Sequence, residues 1–281
     1  MIRLATVVGS RTNILWHFLT YYSDIFIVDE ICVGVYDWSD KELSKEVEKI
    51  IKDFPKAKIV LRRTAEKYNW ETVTNMYNEI KNQHPEDWWI VADDDEFHDY
   101  SQPLKHIIQD CEKNGWDLVR GGFVDRIGPG GTFPELQPEK DIFEQFPLAG
   151  FFRYPLSGAC PNKVCIMKGY VELTPGQHYA KIDGHTTWKW QGWNHPLIAP
   201  YKKYSVIVNH FKWDATCGER IRAVANTNRE SAYSEEYRKM YRELAKTRFK
   251  IDITDPRFMI EEVGVWDYEN WDRLINLIIS I

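Results

Sequence analysis

Apolar runs of strand length alternate with helical stripes over the first hundred residues. Residues 2–8 form a β-branched apolar run closed by Gly9-Ser10-Arg11-Thr12-Asn13, which predicts a strand and a turn. A helix is predicted over 14–22, and a second apolar strand within 25–36 ends at Asp37. Over 40–54, Leu43, Val47, Ile50, Ile51 and Phe54 recur at helical spacing, and 58–61 reads as a strand. Val73, Met76, Tyr77 and Ile80 stripe a helix over 70–83, which leads into Trp88-Trp89-Ile90-Val91-Ala92, a buried strand that opens on Asp93-Asp94-Asp95-Glu96. This rhythm calls for a parallel sheet flanked by helices, with ligands at the carboxyl ends of the strands. Three loops, 9–13, 37–40 and 93–96, would share that rim.

Beyond Phe97 the pattern changes. Residues 103–113 predict a helix with Pro103 near its first turn and Leu104, Ile107, Ile108 and Cys111 inward. A strand over 117–124 enters Asp125-Arg126-Ile127-Gly128-Pro129-Gly130-Gly131, a turn or mobile loop. From there to Pro161 the chain is rich in Pro and aromatics without a sustained period, as suits a long functional loop. Strands are expected over 163–167 and 204–208, helices over 216–226 and 234–247. The tail, 274–281, is expected to dock on the body or on a partner.

The acidic run carries the chemistry. Adjacent carboxylates repel one another and lose solvation at the edge of an apolar core, so the pattern asks for a cation or for hydrogen-bond donors. Strand alternation would put Asp93 and Asp95 on one face and Asp94 and Glu96 on the other. Mg²⁺ and Mn²⁺ take oxygen ligands, commonly one or two carboxylates with water or substrate phosphates completing the shell, so this Asp-x-Asp suggests a metal-diphosphate site. A solvated acidic turn is the alternative. On the same rim Arg11 could face a phosphate and Asp37 could accept from a base or ribose; an exposed loop cation and a turn former are the bland readings of the two.

Composition sets the bounds. With 281 residues, 43% hydrophobic and 14% aromatic, the chain can bury a sizeable core. A net charge of -6 gives no support to sequence-independent binding of a polyanion and makes nucleic acid the least favoured acceptor. Cys32, Cys111, Cys160, Cys165 and Cys217 are odd in number and scattered without Cys-x-x-Cys spacing, as expected of reduced thiols. The first residues are too short and β-branched a run for a signal peptide, and no stretch reaches the roughly 18 apolar residues that span a bilayer. A soluble cytoplasmic protein is expected.

Taken in order, Asp-Trp-Trp-Ile-Val-Ala-Asp-Asp-Asp-Glu-Phe (87–97), Gly-Gly-Phe-Val-Asp-Arg (121–126), Gln-Phe-Pro (145–147), Lys163, Gly-Gln-His (176–178) and Asn-His-Phe-Lys-Trp (209–213) resemble the family-2-type glycosyltransferases of the GT-A fold. The resemblance runs over residues 1–225. It implies a sugar-nucleotide-dependent transferase in which Asp93 and Asp95 match the motif that holds a divalent cation, Mn²⁺ or Mg²⁺, on the donor diphosphate. His210 sits where such enzymes often supply a further metal ligand, and imidazole suits that role; without the resemblance it reads as a satisfied core histidine. Val8, Arg11, Asp37 and Asp94 fall on the donor side. The leaving diphosphate needs opposite charge, for which Lys212, Arg220 and Arg222 are candidates beside a solvated-helix reading.

An inverting displacement also needs a carboxylate to take the acceptor proton. Asp125 is the first candidate, with Glu135 and Asp183 as alternatives and a structural ion pair with Arg126 as the competing reading. The usual acidic base motif of larger family members has no clear counterpart. Residues 178–195 hold three histidines and three tryptophans, and His178, Trp188 and Trp190 could line an acceptor pocket because aromatic faces pack on sugar rings. Core packing is the alternative; a zinc site from His178, His185 and His195 lacks a recognisable ligand spacing.

The expectation is therefore an α/β, GT-A-like (Rossmann-like) mixed, mainly parallel sheet flanked by helices. Residues 1–225 would form the transferase domain, with 1–100 as nucleotide-binding half and 101–225 as acceptor-binding half, and 226–281 a C-terminal helical extension. The expected activity moves a sugar from a nucleotide-sugar, a UDP-sugar, to a hydroxyl of a glycan or other acceptor. A non-catalytic nucleotide-sugar or glycan-binding protein of the same fold, or a sugar-nucleotide pyrophosphorylase, are the alternatives.

Overall fold

A computed structural model of the chain describes residues 1–281 except 10, 25–27, 39–41, 183, 188–194, 228–231, 263–267 and 281. In chain order the elements are β1 (Ile2–Val8), α1 (Leu15–Asp24), β2 (Glu30–Asp37), α2 (Leu43–Ile51), β3 (Ala57–Thr64), α3 (Trp70–Asn82), β4 (Trp88–Val91), β5 (Glu96–Tyr100), α4 (Leu104–Asn114) and β6 (Leu118–Ile127). They continue as α5 (Ile142–Gln145), β7 (Leu148–Gly150), α6 (Arg153–Ser157), β8 (Asn162–Lys168), β9 (Glu172–Leu173), β10 (Ala180–Ile182), β11 (His185–Thr186), β12 (Val206–His210), α7 (Cys217–Thr227), α8 (Ala232–Lys246), β13 (Glu261–Glu262) and α9 (Tyr268–Ser280). Among the described residues no helix is long and apolar enough to cross a membrane.

The chain divides into two compact units, one of residues 1–122, 162–208 and 275–281, the other of 123–161 and 209–274. The division differs from the expected boundary at 225/226, which falls inside the second unit: α7 and α8 pack on each other there. The expected halves at 100/101 differ too, because residues 101–122 and 162–208, with the antiparallel strand β8, belong with the first unit.

In the first unit the strands run in the order β6-β8-β4-β1-β2-β3. β1 is parallel to β2, from Arg3 opposite Glu30 to Val8 opposite Val35, and parallel to β4, from Ile2 opposite Trp88 to Ala5 opposite Val91. β3 extends the parallel set, whereas β8 is antiparallel to β4 and to residues 118–122 of β6. This is the expected mixed, mainly parallel sheet flanked by helices. The apolar runs of β1, β2 and β4 are buried end to end, as strands covered on both faces must be. The stripe of α3 does the covering: Met76, Tyr77 and Ile80 join Ala5, Val7, Tyr36, Trp89, Val91 and Met167 in one core. Asn69 starts α3 by accepting a hydrogen bond from the Thr72 amide at 3.1 Å, and Gly115, at φ 72°, ends α4 in the left-handed conformation that glycine adopts without strain.

The second unit pairs Asp125–Ile127 of β6 with β7, and β7 with β13, both antiparallel. Its core is Ile127, Phe152, Trp213, Cys217, Ile221, Met240, Leu244, Ile251 and Phe258. The stretch expected to be one long loop holds α5, β7 and α6 instead; each is five residues or shorter, too short for a period to register. The tail is helical in α9, and Leu274, Ile275 and Ile278 are buried.

Candidate functional site

β4 stops at Val91, one bond before the acidic run: the Ala92 amide still reaches Ala5 O at 3.2 Å. The chain then turns, and the Glu96 amide closes the turn on Asp93 O at 2.9 Å before β5 begins. Alternation therefore does not govern these four side chains, which corrects the expectation that Glu96 points away from Asp93. Glu96 turns inward. Its Oε2 accepts from the Asp93 amide at 3.0 Å and its Oε1 from Lys163 Nζ at 2.8 Å.

Lys163 is fully buried on β8 and donates also to Gln177 Oε1 at 2.9 Å, Asp93 Oδ2 at 3.3 Å and Gly176 O at 3.3 Å. Three ammonium protons thus serve four acceptors. Asp93 Oδ1 is held by the Tyr77 hydroxyl at 2.7 Å, and that hydroxyl accepts from the Val7 amide at 3.1 Å. The carboxylate of Asp93 is in this way pinned from β1, α3 and β8 while its side chain stays 36% exposed. Burial pushes the Glu96 carboxyl up to about 8 against the pull of Lys163, with Asp93 and Asp95 adding to the rise. Burial works to lower Lys163, but Asp93 and Glu96 outweigh it and hold the ammonium above its ordinary range. Gln177 takes φ 53° beside Gly176 at φ 75°, a strained backbone for a non-glycine residue held by the contact with Lys163.

Arg11 reaches into the same turn: its guanidinium lies 3.0 Å from Asp95 Oδ2, with side chains 9% and 15% exposed. Expected to face a phosphate, it is paired with a carboxylate and joins the first loop of the rim to the third. The second loop is adjacent, since a Cβ on Gly9 would sit 3.7 Å from Trp38 Nε1. Asp37 ends β2 half-buried, and its carbonyl accepts from the Ala65 amide. Val8 is buried, so its backbone alone could meet a donor, and Asp94 is half-buried in the turn.

The oxygen donors of Asp93 and Asp95 fit a hard cation of the Mg²⁺ type, since a carboxylate oxygen that accepts one hydrogen bond keeps a second lone pair and the remaining positions go to phosphate and water. An all-protein cage does not fit: among the described residues no group of three or more His, Cys, Asp or Glu is arranged to hold a metal ion.

Asp125 and His210 belong to the second unit. Asp125 is 1% exposed; Oδ1 lies 3.0 Å from His210 Nδ1 and accepts from Trp213 Nε1 at 2.9 Å, while Oδ2 accepts from the Arg153 amide at 3.0 Å. Burial alone would raise this carboxyl, but His210, Arg153 and Trp213 hold it below the usual carboxylate range. A buried, ionised carboxylate with three donors is a poor proton acceptor, and its geometry is that of a residue orienting His210 through Nδ1. A metal role for His210 would run through Nε2. Arg126, the competing partner, donates to Asn209 Oδ1 at 2.8 Å.

The expected leaving-group cations also lie in the second unit. Lys212 Nζ donates to the Tyr237 hydroxyl at 2.8 Å, and Arg220 lies 3.1 Å from Asp214 Oδ1 and 3.1 Å from Thr216 Oγ1. Glu135 is exposed. His178, in the first unit, directly follows the residues that cradle Lys163 and places Nδ1 2.8 Å from Asn162 O. Trp188, Trp190 and Asp183 lie outside the described residues. Reading the sequence missed the roles of Tyr77, Glu96, Lys163 and Gln177. A signal existed for one of them: a lysine opening the apolar run Val164-Cys165-Ile166-Met167 is a charge that burial must pair.

No family profile matches the chain, and no curated protein matches it. Solved structures similar to it include TarS (residues 1–349) of S. aureus in complex with UDP-GlcNAc, at 14% identity over 86% of this chain and 71% of that one, with a TM-score of 0.38. Another is 4-diphosphocytidyl-2C-methyl-D-erythritol synthase of Anaerococcus prevotii, at 10% identity over 60% of this chain and 70% of that one, with a TM-score of 0.32. A third is mouse xyloside xylosyltransferase 1, at 8% identity over 43% of this chain and 52% of that one, with a TM-score of 0.26. Likeness this distant assigns no activity.

Proposed function

We propose that the chain is a metal-dependent glycosyltransferase that moves a sugar from a nucleotide-sugar, a UDP-sugar, to the hydroxyl of a glycan or similar acceptor, with inversion. The observation that carries the reading is the acidic turn at the carboxyl end of β4, where Asp93 is pinned by Tyr77 and Lys163 with its side chain still partly exposed and Asp95 lies on the Arg11 loop at the end of β1. In an open α/β sheet that rim is the ligand-binding edge. Asp93 and Asp95 would hold Mn²⁺ or Mg²⁺, which supplies charge to the leaving diphosphate. Lys163 keeps both neighbouring carboxylates fixed from below, so the turn is preorganised and need not rearrange as charge develops. Arg11 is within reach of the same edge and can exchange Asp95 for a phosphate oxygen when the cation takes the carboxylate.

Thermal-shift titration with UDP-sugars tests this, because a ligand that binds only the folded chain raises its apparent stability by mass action. The expected result is a shift that requires Mn²⁺ or Mg²⁺ and disappears in Asp93→Asn, with donor hydrolysis falling at least about 100-fold, the scale of losing one preorganised electrostatic contact. A shift indifferent to metal and to Asp93→Asn would refute the reading. Metal-dependent binding without turnover would leave a binding protein, and UDP-sugar formation from a sugar phosphate and UTP a pyrophosphorylase.

A further inference from the structure

The second unit contains a pocket of about 480 Å³ that the donor reading does not use, lined by Thr132, Phe133, Ala215, Gly218, Glu219 and Arg222, with Tyr241, Arg248, Phe249 and Lys250 closing it. Its volume lies in the range of small-molecule sites, roughly 300–1,000 Å³. Three of its residues are cations and one is an acid. Arg222, Arg248 and Lys250 are exposed, and among the described residues no hydrogen bond or ion pair to any of their side chains is found. In a chain with a net charge of -6, three like charges converging on one concavity repel each other and draw an anion.

The backbone at this spot is also held in an unusual state. Arg248 and Phe249 both take left-handed φ, 54° and 57°, where α8 ends, and non-glycine residues adopt that region at a cost. The result is that the Phe249 ring is laid on Gly218, where an added Cβ would come within 2.9 Å of it, and that the ring meets Tyr241 with centroids 5.4 Å apart. Phe133, on the loop after β6, adds a third aromatic wall. The first turn of α7 borders the pocket, but the Asp214 carboxylate lies just before that helix, accepting from the Thr216 amide at 2.9 Å, so the attraction for an anion is assigned to the three side chains and not to the helix end.

We propose that this pocket binds a phosphate ester of a ring-bearing compound, with Arg222, Arg248 and Lys250 on the phosphate, the ring against Phe133, Phe249 and Tyr241, and Glu219 accepting from a ring hydroxyl. Guanidinium groups match phosphate oxygens two at a time, and an aromatic wall takes a flat ring or the C–H face of a sugar. Three cations in a single concavity match the charge of one phosphate group. The site is independent of the divalent cation and of the donor reading.

Isothermal titration in EDTA, with inorganic phosphate, glucose, glucose 1-phosphate and phenyl phosphate as probes, tests the proposal and keeps it apart from metal-dependent donor binding. One or both esters are expected to bind one per chain and at least about tenfold more tightly than inorganic phosphate, with glucose giving no saturable heat. Arg248→Gln and Lys250→Gln should each weaken the ester about tenfold while the melting temperature stays put, since both side chains are exposed. Gly218→Ala, which displaces the Phe249 ring, should lower ester affinity and leave inorganic phosphate unchanged. Absence of saturable ester binding, equal affinity for ester and inorganic phosphate, or indifference to both charge substitutions overturns the proposal; loss of UDP-sugar binding in metal with ester binding intact overturns only the donor reading.

Discussion

Replacing Lys163 by Met tests the part of the site on which the acidic turn stands. The ammonium is fully buried and donates to Glu96, Gln177, Asp93 and Gly176 at 2.8, 2.9, 3.3 and 3.3 Å. Met fills the volume and removes every donor. Breaking a buried ion pair from one side costs about 3–5 kcal/mol, because the remaining charge stays desolvated. Glu96 can escape part of that cost by taking up a proton, since burial already pushes it up to about 8. The expected loss is therefore near the lower end, about 3 kcal/mol, or about 6 °C or more in melting temperature for a chain of this size. Urea unfolding of the wild type, Lys163→Met, Glu96→Gln and the double variant closes a cycle whose coupling should exceed about 1 kcal/mol. The pH dependence has a defined sign. A carboxyl raised in the folded state binds more protons there than in the unfolded chain, so its stabilising effect is full below the ordinary Glu range and is lost as pH rises toward about 8. In Lys163→Met the loss should extend to higher pH, since the downward pull of the ammonium is gone. A loss below about 1 kcal/mol with no coupling would refute the account of Lys163 as the anchor of the turn.

Two further outcomes follow from buried groups elsewhere. His210→Phe removes a principal donor to Asp125, whose carboxyl is depressed; that stability is present above the unfolded carboxyl range and lost as pH falls through the folded value, so the variant should unfold at higher pH on acidification and lose about 1.5–3 kcal/mol at neutral pH. An unchanged acid midpoint would show that Asp125 does not depend on the imidazole. Gly121→Ala puts a Cβ 2.5 Å from Val206 O and 2.7 Å from Cys165 Sγ, and should cost about 1–3 kcal/mol through strand displacement. An unaltered urea midpoint would contradict that packing.

The candidate site was legible in outline and not in its parts. The run 93–96 stood out because four carboxylates next to an apolar strand have few physical solutions, and the sheet edge followed from the alternation of strand and helix. What alternation could not supply was direction: a hydrogen bond from the Glu96 amide to Asp93 O bends the chain out of the strand and turns Glu96 inward toward Lys163, 67 residues away in sequence. Asp125 shows the same limit. A carboxylate after a strand and before a glycine loop reads as a base, and only its three donors, two of them from 85 and 88 residues onward, reveal how fully it is engaged.

By itself the sequence determined the order and kind of the longer elements, because period and run length are local properties set by which faces must be buried. It also determined that charge gathers at the end of β4. The tertiary structure alone decided which cation answers that charge, that Arg11 pairs with Asp95, and that three cations and three aromatic rings line one pocket in the second unit. Those are distances between residues far apart in the chain, and they are set by packing that no local pattern encodes.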